Sequence, residues 1–387
     1  MGFPDPNDPD GTSLFWKIIG RNKRCVVLDL KDPADVERVL RLAEGAHVLV
    51  ENLRPGGLEK LGLGPDELLA RNPNLVITRV TGFGQDGPYA NRPGFATIAE
   101  AMSGFAGLNG EADGAPMLPP IALTDELTAM SAAFATMTAL HSGVGQVVDV
   151  NLLDTLLQTM GPLPAAYAAT GYLQPRLGSG IPYSVPRGTW QSRDGRWIAV
   201  SSSHDTIARR VIALIGLGDH PDLDTFAGRV AHRELIDARM AQWIGERDAD
   251  DVLVAFEAAE AAAAPIYDMA DVAADPHLAE RHALPVVDGV TMQGLVARLS
   301  ATPGEIRAAW IICTNPVASV ANVAISKPGS PIRKLMEKTV GISSQRILPP
   351  YAKQRFSTWF KKRGGSIPNP KVPARGPVVF FHGCAGN

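Results

Sequence analysis

The stretch CVVLDLKDPADVERVLRLAEGAHVLVE, residues 25–51, decides the fold because it contains one complete strand–helix–strand step. Its first six residues, 25–30, are mostly apolar and predict a buried strand. Pro33 favours the first turn of a helix and Gly45 favours its end, so a helix is expected between them. Residues 47–51 predict the next strand. Two strands joined by a helix are typical of a parallel sheet covered by helices.

The same alternation returns further along the chain. Residues 74–80 (NLVITRV) and 146–150 (QVVDV) predict two more strands. Between them, apolar side chains recur every three or four residues at Leu127, Met130 and Phe134, which predicts a helix. We therefore expect an α/β protein whose large domain contains a Rossmann-like parallel sheet.

A change in composition predicts a second domain. Residues 161–188 are rich in Pro and Gly, and after them Asp194 and Gly195 predict the turn of a hairpin. Ala-rich amphipathic helices follow this hairpin. We predict a large α/β domain over residues 1–182 and a smaller α+β domain over residues 183–300.

Length and composition limit the class of protein. The 387 residues are 45% hydrophobic and 20% charged, which is ordinary for a folded globular protein. No apolar run approaches the ~18 residues of a membrane span, and the first residues lack the regions of a signal peptide. We therefore expect a cytoplasmic protein with no membrane partner. Cys25, Cys313 and Cys384 lie far apart and predict neither a disulfide framework nor a metal site.

The charge of the chain changes sign near residue 310. Residues 1–309 carry 25 Lys and Arg against 39 Asp and Glu, whereas residues 310–387 carry 12 against one, Glu337. We interpret residues 310–387 as a foreign basic tail. Basic segments occur in proteins that bind nucleic acid, but no binding motif accompanies this one, so we expect no nucleic-acid partner.

Several long motifs occur in an order that points to one family. They are NKRCVVLDLKDPADVERVL (22–40), VLVENLRPGGLEKLGLGPDELLARNPNLVITRVTGFGQDGPY (48–89), AEAMSGFAGLNGE (99–111), IALTDELTAMSAA (121–133) and GVGQVVDVNLLD (143–154). On these motifs the chain resembles the family III CoA-transferases, the group that includes formyl-CoA transferase and carnitine CoA-transferase, from about Leu14 to Arg307.

The resemblance implies an activity and partners. These are transfer of CoA from an acyl-CoA thioester to a carboxylic acid acceptor, no tightly bound cofactor and a homodimer. It also implies an opening strand–helix–strand segment, for which we find no counterpart before Leu14, so we expect a chain truncated at its N-terminus.

Asp125 stands at the head of the helix predicted before the strand at residues 146–150. The N–H groups at a helix N-terminus favour an anion, so we expect a lowered pKa and a carboxylate able to attack an acyl carbon. A helix cap without a catalytic role is the alternative. The resemblance implies that Asp125 is the nucleophile, which forms a mixed anhydride and then an aspartyl-CoA thioester. We expect the neighbouring Glu126 to be a solvated acid of the first turn.

The resemblance also implies a set of CoA-binding positions. They are Lys31, Asn52, Leu53, Lys60 and Phe83. Lysines suit the CoA phosphates, and apolar or aromatic groups suit the adenine or the pantetheine arm. A solvated lysine, a turn asparagine and a packed loop aromatic are the alternatives for the individual residues.

A glycine-rich loop, TGFGQDGPY at residues 81–89, follows a predicted strand, where open α/β sheets usually hold ligands. Its spacing matches neither a P-loop nor a G-x-G-x-x-G fingerprint. The tetrahedral intermediate of acyl transfer needs N–H donors for its oxyanion, and the backbone at Gly82 or Gly84 is a candidate.

The tail has resemblances of its own. Residues 310–323 are similar to a short piece of a molybdopterin oxidoreductase, and the following residues resemble the iron–sulfur subunit of anaerobic glycerol-3-phosphate dehydrogenase. Cys384 matches the first cysteine of the cysteine-rich domain in that iron–sulfur protein. A cluster takes about four thiolates, so this single thiol predicts no metal site. We interpret the chain as a mosaic of a truncated transferase and an incomplete tail.

Two other functions fit parts of the sequence. An acyl-CoA racemase on the same fold would need a histidine beside Asp125, and His141 lies too far along the predicted helix. A non-catalytic accessory chain of an electron-transfer complex would need cluster ligands that three cysteines do not supply. The sequence does not identify the acyl-CoA or the acceptor acid.

Overall fold

A computed structural model of the chain describes residues 3–8, 12–308, 310–313 and 378–380. By compactness the chain divides into two units. The first comprises the described residues of Met1–Glu37 and Tyr267–Arg375, and the second comprises those of Arg38–Ile266 and Gly376–Asn387. Each unit is described by itself.

The described residues form helices of four to 20 residues. In chain order they are α1 (Leu14–Ile19), α2 (Pro33–Glu44), α3 (Gly57–Lys60), α4 (Pro65–Arg71), α5 (Ala96–Met102), α6 (Phe105–Leu108), α7 (Leu123–Ser142), α8 (Leu152–Gln158), α9 (Leu163–Thr170), α10 (Asp205–Leu214), α11 (Phe226–Ala231), α12 (Arg233–Gly245), α13 (Ala249–Ala258), α14 (Met269–Ala274) and α15 (Pro276–Glu280). Among these described helices, none combines the length and apolar character needed to cross a membrane.

The strands of the described residues are short. In chain order they are β1 (Arg24–Val27), β2 (Val48–Glu51), β3 (Val76–Thr81), β4 (Gln146–Asn151), β5 (Arg187–Gln191), β6 (Trp197–Ser201), β7 (Ala262–Pro265), β8 (Val286–Val287), β9 (Val290–Thr291), β10 (Trp310–Cys313) and β11 (Val378–Phe380). In the second unit a parallel sheet has the order β11-β2-β3-β4. The predicted α/β class with a parallel sheet is confirmed.

Helix α7 packs on this sheet through a face of small side chains. Its buried residues are Thr124, Thr128, Ala132, Thr136 and Ala139. The hydroxyls of Thr136 and Thr78 on β3 share a hydrogen bond of 2.6 Å. Small side chains let the helix backbone approach the strands closely, and the threonine hydroxyls also bond to the carbonyls one turn back in the helix.

The opposite face of α7 is apolar and exposed. Met130, Phe134 and Met137 are 63%, 77% and 58% exposed. The apolar spacing therefore predicted the helix correctly, but it does not mark the face that contacts the sheet. Bulky side chains on that face would hold the helix away from the strands, so threonine and alanine occupy it instead.

A tight turn joins α7 to β4 and fixes the direction of the helix. Gly143 ends α7 with a left-handed φ of 72°. A Cβ on Gly145 would lie 2.1 Å from the carbonyl oxygen of Pro73, so only glycine permits this approach. Helix α7 thus runs antiparallel to β3 and β4, and its first turn lies toward the edge where these strands end.

A second sheet in the same unit is antiparallel, with the order β5-β6-β7. Strands β5 and β6 form the predicted hairpin, and Gly195 has a φ of 84° in its turn. This sheet packs with α10, α12 and α13 around a core that includes Trp190, Ile198, Trp243 and Phe256. The hairpin prediction is confirmed.

In the first unit, β1 pairs with β10 in parallel. A strand is thus confirmed within residues 25–30, but its predicted burial is wrong, because Val26 is 42% exposed. Among the described residues, β10 is the strand that pairs with β1, and the side chains of β1 alternate between exposed and half-buried.

Candidate active site

Asp125 lies in the first turn of α7, three positions after the N-cap residue Ala122. It is therefore not the helix cap that the sequence left as an alternative. Its side chain is exposed. The N–H groups of Leu123 and Glu126 donate to the carbonyls of Ile121 and Ala122, and the positive end of the helix dipole lies at this turn.

The surroundings raise the pKa of Asp125. Loss of water around the carboxyl group is the larger cause, and the negative charge of Glu100 is the next. Glu126 adds a smaller effect in the same direction, whereas the backbone N–H of Asp125 acts the other way. The predicted lowering of this pKa is therefore wrong in direction, because desolvation and a neighbouring acid outweigh the helix terminus.

Glu100 is the acid that the fold brings to the start of α7. It lies on α5 and is only 4% exposed. Its Oε1 accepts a hydrogen bond of 2.8 Å from Oγ1 of Thr124, the fully buried residue that directly precedes Asp125. Sequence reasoning missed Glu100. The available signal was a single acid among the small and apolar residues of α5.

The glycine-rich loop at residues 81–89 follows β3, as predicted. Gly84 has a φ of 93°, and its N–H donates to Oγ1 of Thr81 at 2.9 Å. The N–H of Gln85 donates to Oδ2 of Asp149 on β4, also at 2.9 Å. These two bonds hold the loop against the ends of neighbouring strands.

Phe83 is packed within this loop. Its ring meets the ring of Tyr89 edge to face at 5.8 Å, and the Arg92 guanidinium lies 4.0 Å over the Tyr89 ring. A Cβ on Gly82 would lie 2.8 Å from the Cα of Gly94. These contacts support the packed-aromatic alternative for Phe83, and its predicted contact with CoA stays a prediction.

A partly buried network of Arg79, Glu51 and Glu59 supports the segment with three of the predicted CoA-binding residues. Arg79 on β3 donates from Nε to Oε1 of Glu51 at 2.6 Å and from Nη1 to Oε1 of Glu59 at 2.7 Å. Glu51 is fully buried, and its second oxygen accepts the N–H of Leu53 at 2.6 Å. Arg79 thus joins the end of β2 to α3, which ends at Lys60. Sequence reasoning did not single out the three charged residues of this network.

The predicted CoA-binding side chains differ in exposure. Asn52 and Lys60 are exposed, and Leu53 is half-buried. Lys31 is also exposed, and its N–H donates to Oδ1 of Asp29 at 3.0 Å. Lys31 belongs to the first unit, whereas Asn52, Leu53, Lys60 and Phe83 belong to the second. Their joint role in binding CoA stays a prediction.

The described side chains offer no metal site. Among them, no group of three or more His, Cys, Asp and Glu residues could hold a metal ion. Cys25 is a free thiol. The side chains of the basic tail, including Cys384, lie outside the described residues.

Comparison with known proteins places this geometry in a family. Residues 3–310 match CoA-transferase family III. The chain is 35% identical over 308 residues to the succinyl-CoA–D-citramalate CoA-transferase of Chloroflexus aurantiacus, covering 76% of this chain and 77% of that protein. It is 33% identical over 311 residues to the succinate–glutarate CoA-transferase of Agrobacterium fabrum, covering 76% of each.

A solved structure agrees with the fold. The crystal structure of a CAIB/BAIF family protein from Brucella suis has a TM-score of 0.68 and 29% identity, covering 77% of this chain and 81% of that one. The resemblance of the motifs is thereby confirmed, while the matched region ends at the basic tail and does not test its resemblance to an iron–sulfur protein. The chain belongs to CoA-transferase family III.

Proposed function

We propose that this chain transfers CoA from an acyl-CoA thioester to a carboxylic acid and that Asp125 carries the transferred groups in turn. The observation that supports this is the exposed Asp125 carboxylate in the first turn of α7, which lies toward the edge where β3 and β4 end. Family membership supplies the reaction class, and the position of Asp125 supplies the group that performs it.

The proposed reaction has four covalent steps. A carboxylate oxygen of Asp125 attacks the acyl carbon, the C–S bond breaks, and CoA leaves as the thiolate, so a mixed anhydride remains. The thiolate then attacks the Asp125 carbonyl carbon, which releases the donor acid and forms an aspartyl-CoA thioester. The acceptor carboxylate attacks that carbon and expels the thiolate. The thiolate finally attacks the acceptor's acyl carbon, which gives the new acyl-CoA and restores the Asp125 carboxylate.

Each attack develops an oxyanion that needs N–H donors. We propose the backbone at Gly82 or Gly84 for this role because the loop leaves the edge of the sheet toward which α7 begins. The N–H of Gly84 donates to Thr81, so it would have to exchange that partner, which favours Gly82.

An exchange assay tests the function. The relatives' names suggest the panel: succinyl-CoA as donor, with citramalate, malate and glutarate as acceptors. We expect a new acyl-CoA that requires both donor and acceptor. Hydrolysis alone would contradict the proposal, and exchange of the α-hydrogen of an acyl-CoA without an acceptor would favour the racemase alternative. His141 does not serve that alternative, because 16 residues of helix separate it from Asp125 by about 24 Å.

Contact of Lys31 and Lys60 with the CoA phosphates is proposed from the family's positions. Replacing both with Ala is expected to weaken CoA binding by about two- to thirtyfold, since an exposed ion pair contributes about 0.2–1 kcal/mol. Calorimetric titration at several salt concentrations should also show a smaller salt dependence. Arg71→Ala removes an exposed cation elsewhere and serves as the control. Equal affinities in parent and double variant would contradict the contact.

A homodimer is proposed on the family resemblance and on the apolar face of α7. Phe134, 77% exposed, lies between Met130 and Met137 on that face. Phe134→Asp is expected to convert a dimer into monomers, as measured by light scattering after gel filtration, because a buried charge opposes association. Val254→Asp, at an apolar residue 66% exposed on α13, should leave the dimer intact. A dimer that persists in Phe134→Asp, or a parent that is monomeric, would contradict this.

The predicted division into domains at residues 182 and 183 also remains a proposal. The antiparallel sheet β5-β6-β7 and its helices have an apolar core of their own, which supports it. The cytoplasmic location, like the absence of a tightly bound cofactor, stays a prediction.

A further inference from the structure

We propose that Glu100 is a positioning residue for Asp125: its buried negative charge disfavours the free Asp125 carboxylate relative to the acylated forms. The inference rests on the proposed role of Asp125 and assigns a second residue to that site. Glu100 needs no contact with the substrate, because it acts through Asp125 alone.

The position of Glu100 is fixed by the fold. It lies on α5, which packs against α7, and its side chain is almost completely buried. The hydroxyl of Thr124 donates to Oε1 of Glu100 at 2.8 Å, and Thr124 itself is buried and adjacent to Asp125 in the chain. The carboxyl group of Glu100 is therefore held at the first turn of α7 and cannot swing into solvent to reduce its effect.

The charge of Asp125 explains why a neighbouring acid is useful. Asp125 is negative in the free enzyme but uncharged in both the mixed anhydride and the thioester, since the negative charge passes to the CoA thiolate in the first step and to the released donor carboxylate in the second. A fixed negative charge thus raises the free energy of the free enzyme and leaves that of the acylated enzyme almost unchanged. Glu100 is buried, so water and salt screen this repulsion less than they screen exposed charges.

Other charged groups on neighbouring elements do not replace Glu100. The elements packed against α7 carry Arg79 on β3, Asp149 on β4 and Asp154 on α8. None of these three is among the groups that shift the pKa of Asp125. Glu126, on α7 itself, also raises the pKa of Asp125, but its side chain is exposed and its effect is smaller.

The test compares three variants of the full chain. Glu100→Gln removes the charge and keeps an oxygen for the Thr124 hydroxyl. Glu100→Asp keeps the charge, and Glu126→Gln removes the exposed neighbouring charge as a matched control. Two quantities are measured: the pH dependence of kcat/KM, and the fraction of enzyme trapped as the CoA adduct after mixing with acyl-CoA without acceptor, by intact mass.

We expect Glu100→Gln to move the acidic limb of kcat/KM to lower pH, because the pKa of Asp125 falls when the repulsion is removed. The trapped fraction should also fall. Glu100→Asp should keep the limb nearer to its parental position, and Glu126→Gln should shift it less than Glu100→Gln does. A merely structural role would lower the rate without moving the limb.

The inference would be overturned if the acidic limb of kcat/KM in Glu100→Gln stays at its parental pH. It would also be overturned if Glu126→Gln shifts this limb as far as Glu100→Gln does. If Glu100→Gln does not fold, Glu100→Asp decides. An acidic limb of kcat/KM that moves to lower pH in Glu100→Asp would overturn the inference, and a limb at its parental pH would support it. The proposed function fails separately, through an active Asp125→Asn variant. An inactive Asp125→Asn with an unmoved limb in Glu100→Gln would leave the function standing and remove only Glu100.

Discussion

Asp125→Asn is expected to reduce CoA transfer by more than about 10⁴-fold, because the amide is a poor nucleophile and no other group replaces the covalent step. The substitution keeps the shape of the side chain, so the fold should be unchanged. Asp125 is exposed in the first turn of α7, where its loss removes no buried partner. The measurement is the exchange rate with succinyl-CoA and the acceptor panel.

Glu126→Gln is the matched control for this loss. It removes a carboxylate from the next position of the same helix turn, and we expect its exchange rate to stay within a few-fold of the parent. Intact mass spectrometry after mixing with acyl-CoA should show an adduct in the parent and in Glu126→Gln, and none in Asp125→Asn. Parental turnover by Asp125→Asn would exclude Asp125 as the nucleophile.

Local signals in the sequence predicted much of the fold. Helix α2 begins at Pro33, as its preference for the first helical turn predicts, and ends at Glu44, directly before Gly45. The strand predicted over residues 74–80 is β3, shifted by one or two residues. These elements depend on the order of apolar, proline and glycine residues along the chain, which the sequence contains directly.

These local signals did not predict contacts between residues that are distant in the chain. Glu100 acts on Asp125 across 25 positions, and Arg79 meets Glu51 across 28, so neither pair leaves a periodic pattern. The sign of the Asp125 pKa shift was wrong for the same reason, because loss of water around the carboxyl group, the larger cause, and the charge of Glu100 both arise only when the helices pack. A helix terminus is visible in a sequence, whereas a buried acid on a neighbouring helix becomes visible only once the helices pack.

Arg79→Met is expected to lower the free energy of unfolding by about 3–5 kcal/mol, because it leaves Glu51 buried with an unpaired charge. Glu51 is fully buried, so water cannot replace the guanidinium. Urea unfolding followed by circular dichroism measures the change. Arg71→Met is the control, since Arg71 and Glu44 form an ion pair of two partly exposed side chains, for which about 0–1 kcal/mol is expected.

The effect should depend on pH through Glu59. The hydrogen bond from Arg79 is the main cause that lowers the pKa of Glu59 in the folded protein. A lowered folded-state pKa contributes stability above the unfolded-state pKa and loses it as pH falls through the folded-state pKa. Arg79→Met should therefore lose less stability on acidification than the parent does, which the same unfolding measurement at several acidic pH values would detect.

A double variant separates the buried charge from the loss of packing. Glu51→Gln combined with Arg79→Met removes the unpaired charge but keeps an oxygen that can accept the N–H of Leu53. It should recover part of the stability lost in Arg79→Met alone, and CoA binding should recover with it if the network positions the segment before Lys60. A double variant less stable than Arg79→Met would show that the cost lies in the lost contacts of Arg79, and a single variant as stable as Arg71→Met would show that Glu51 does not need its partner.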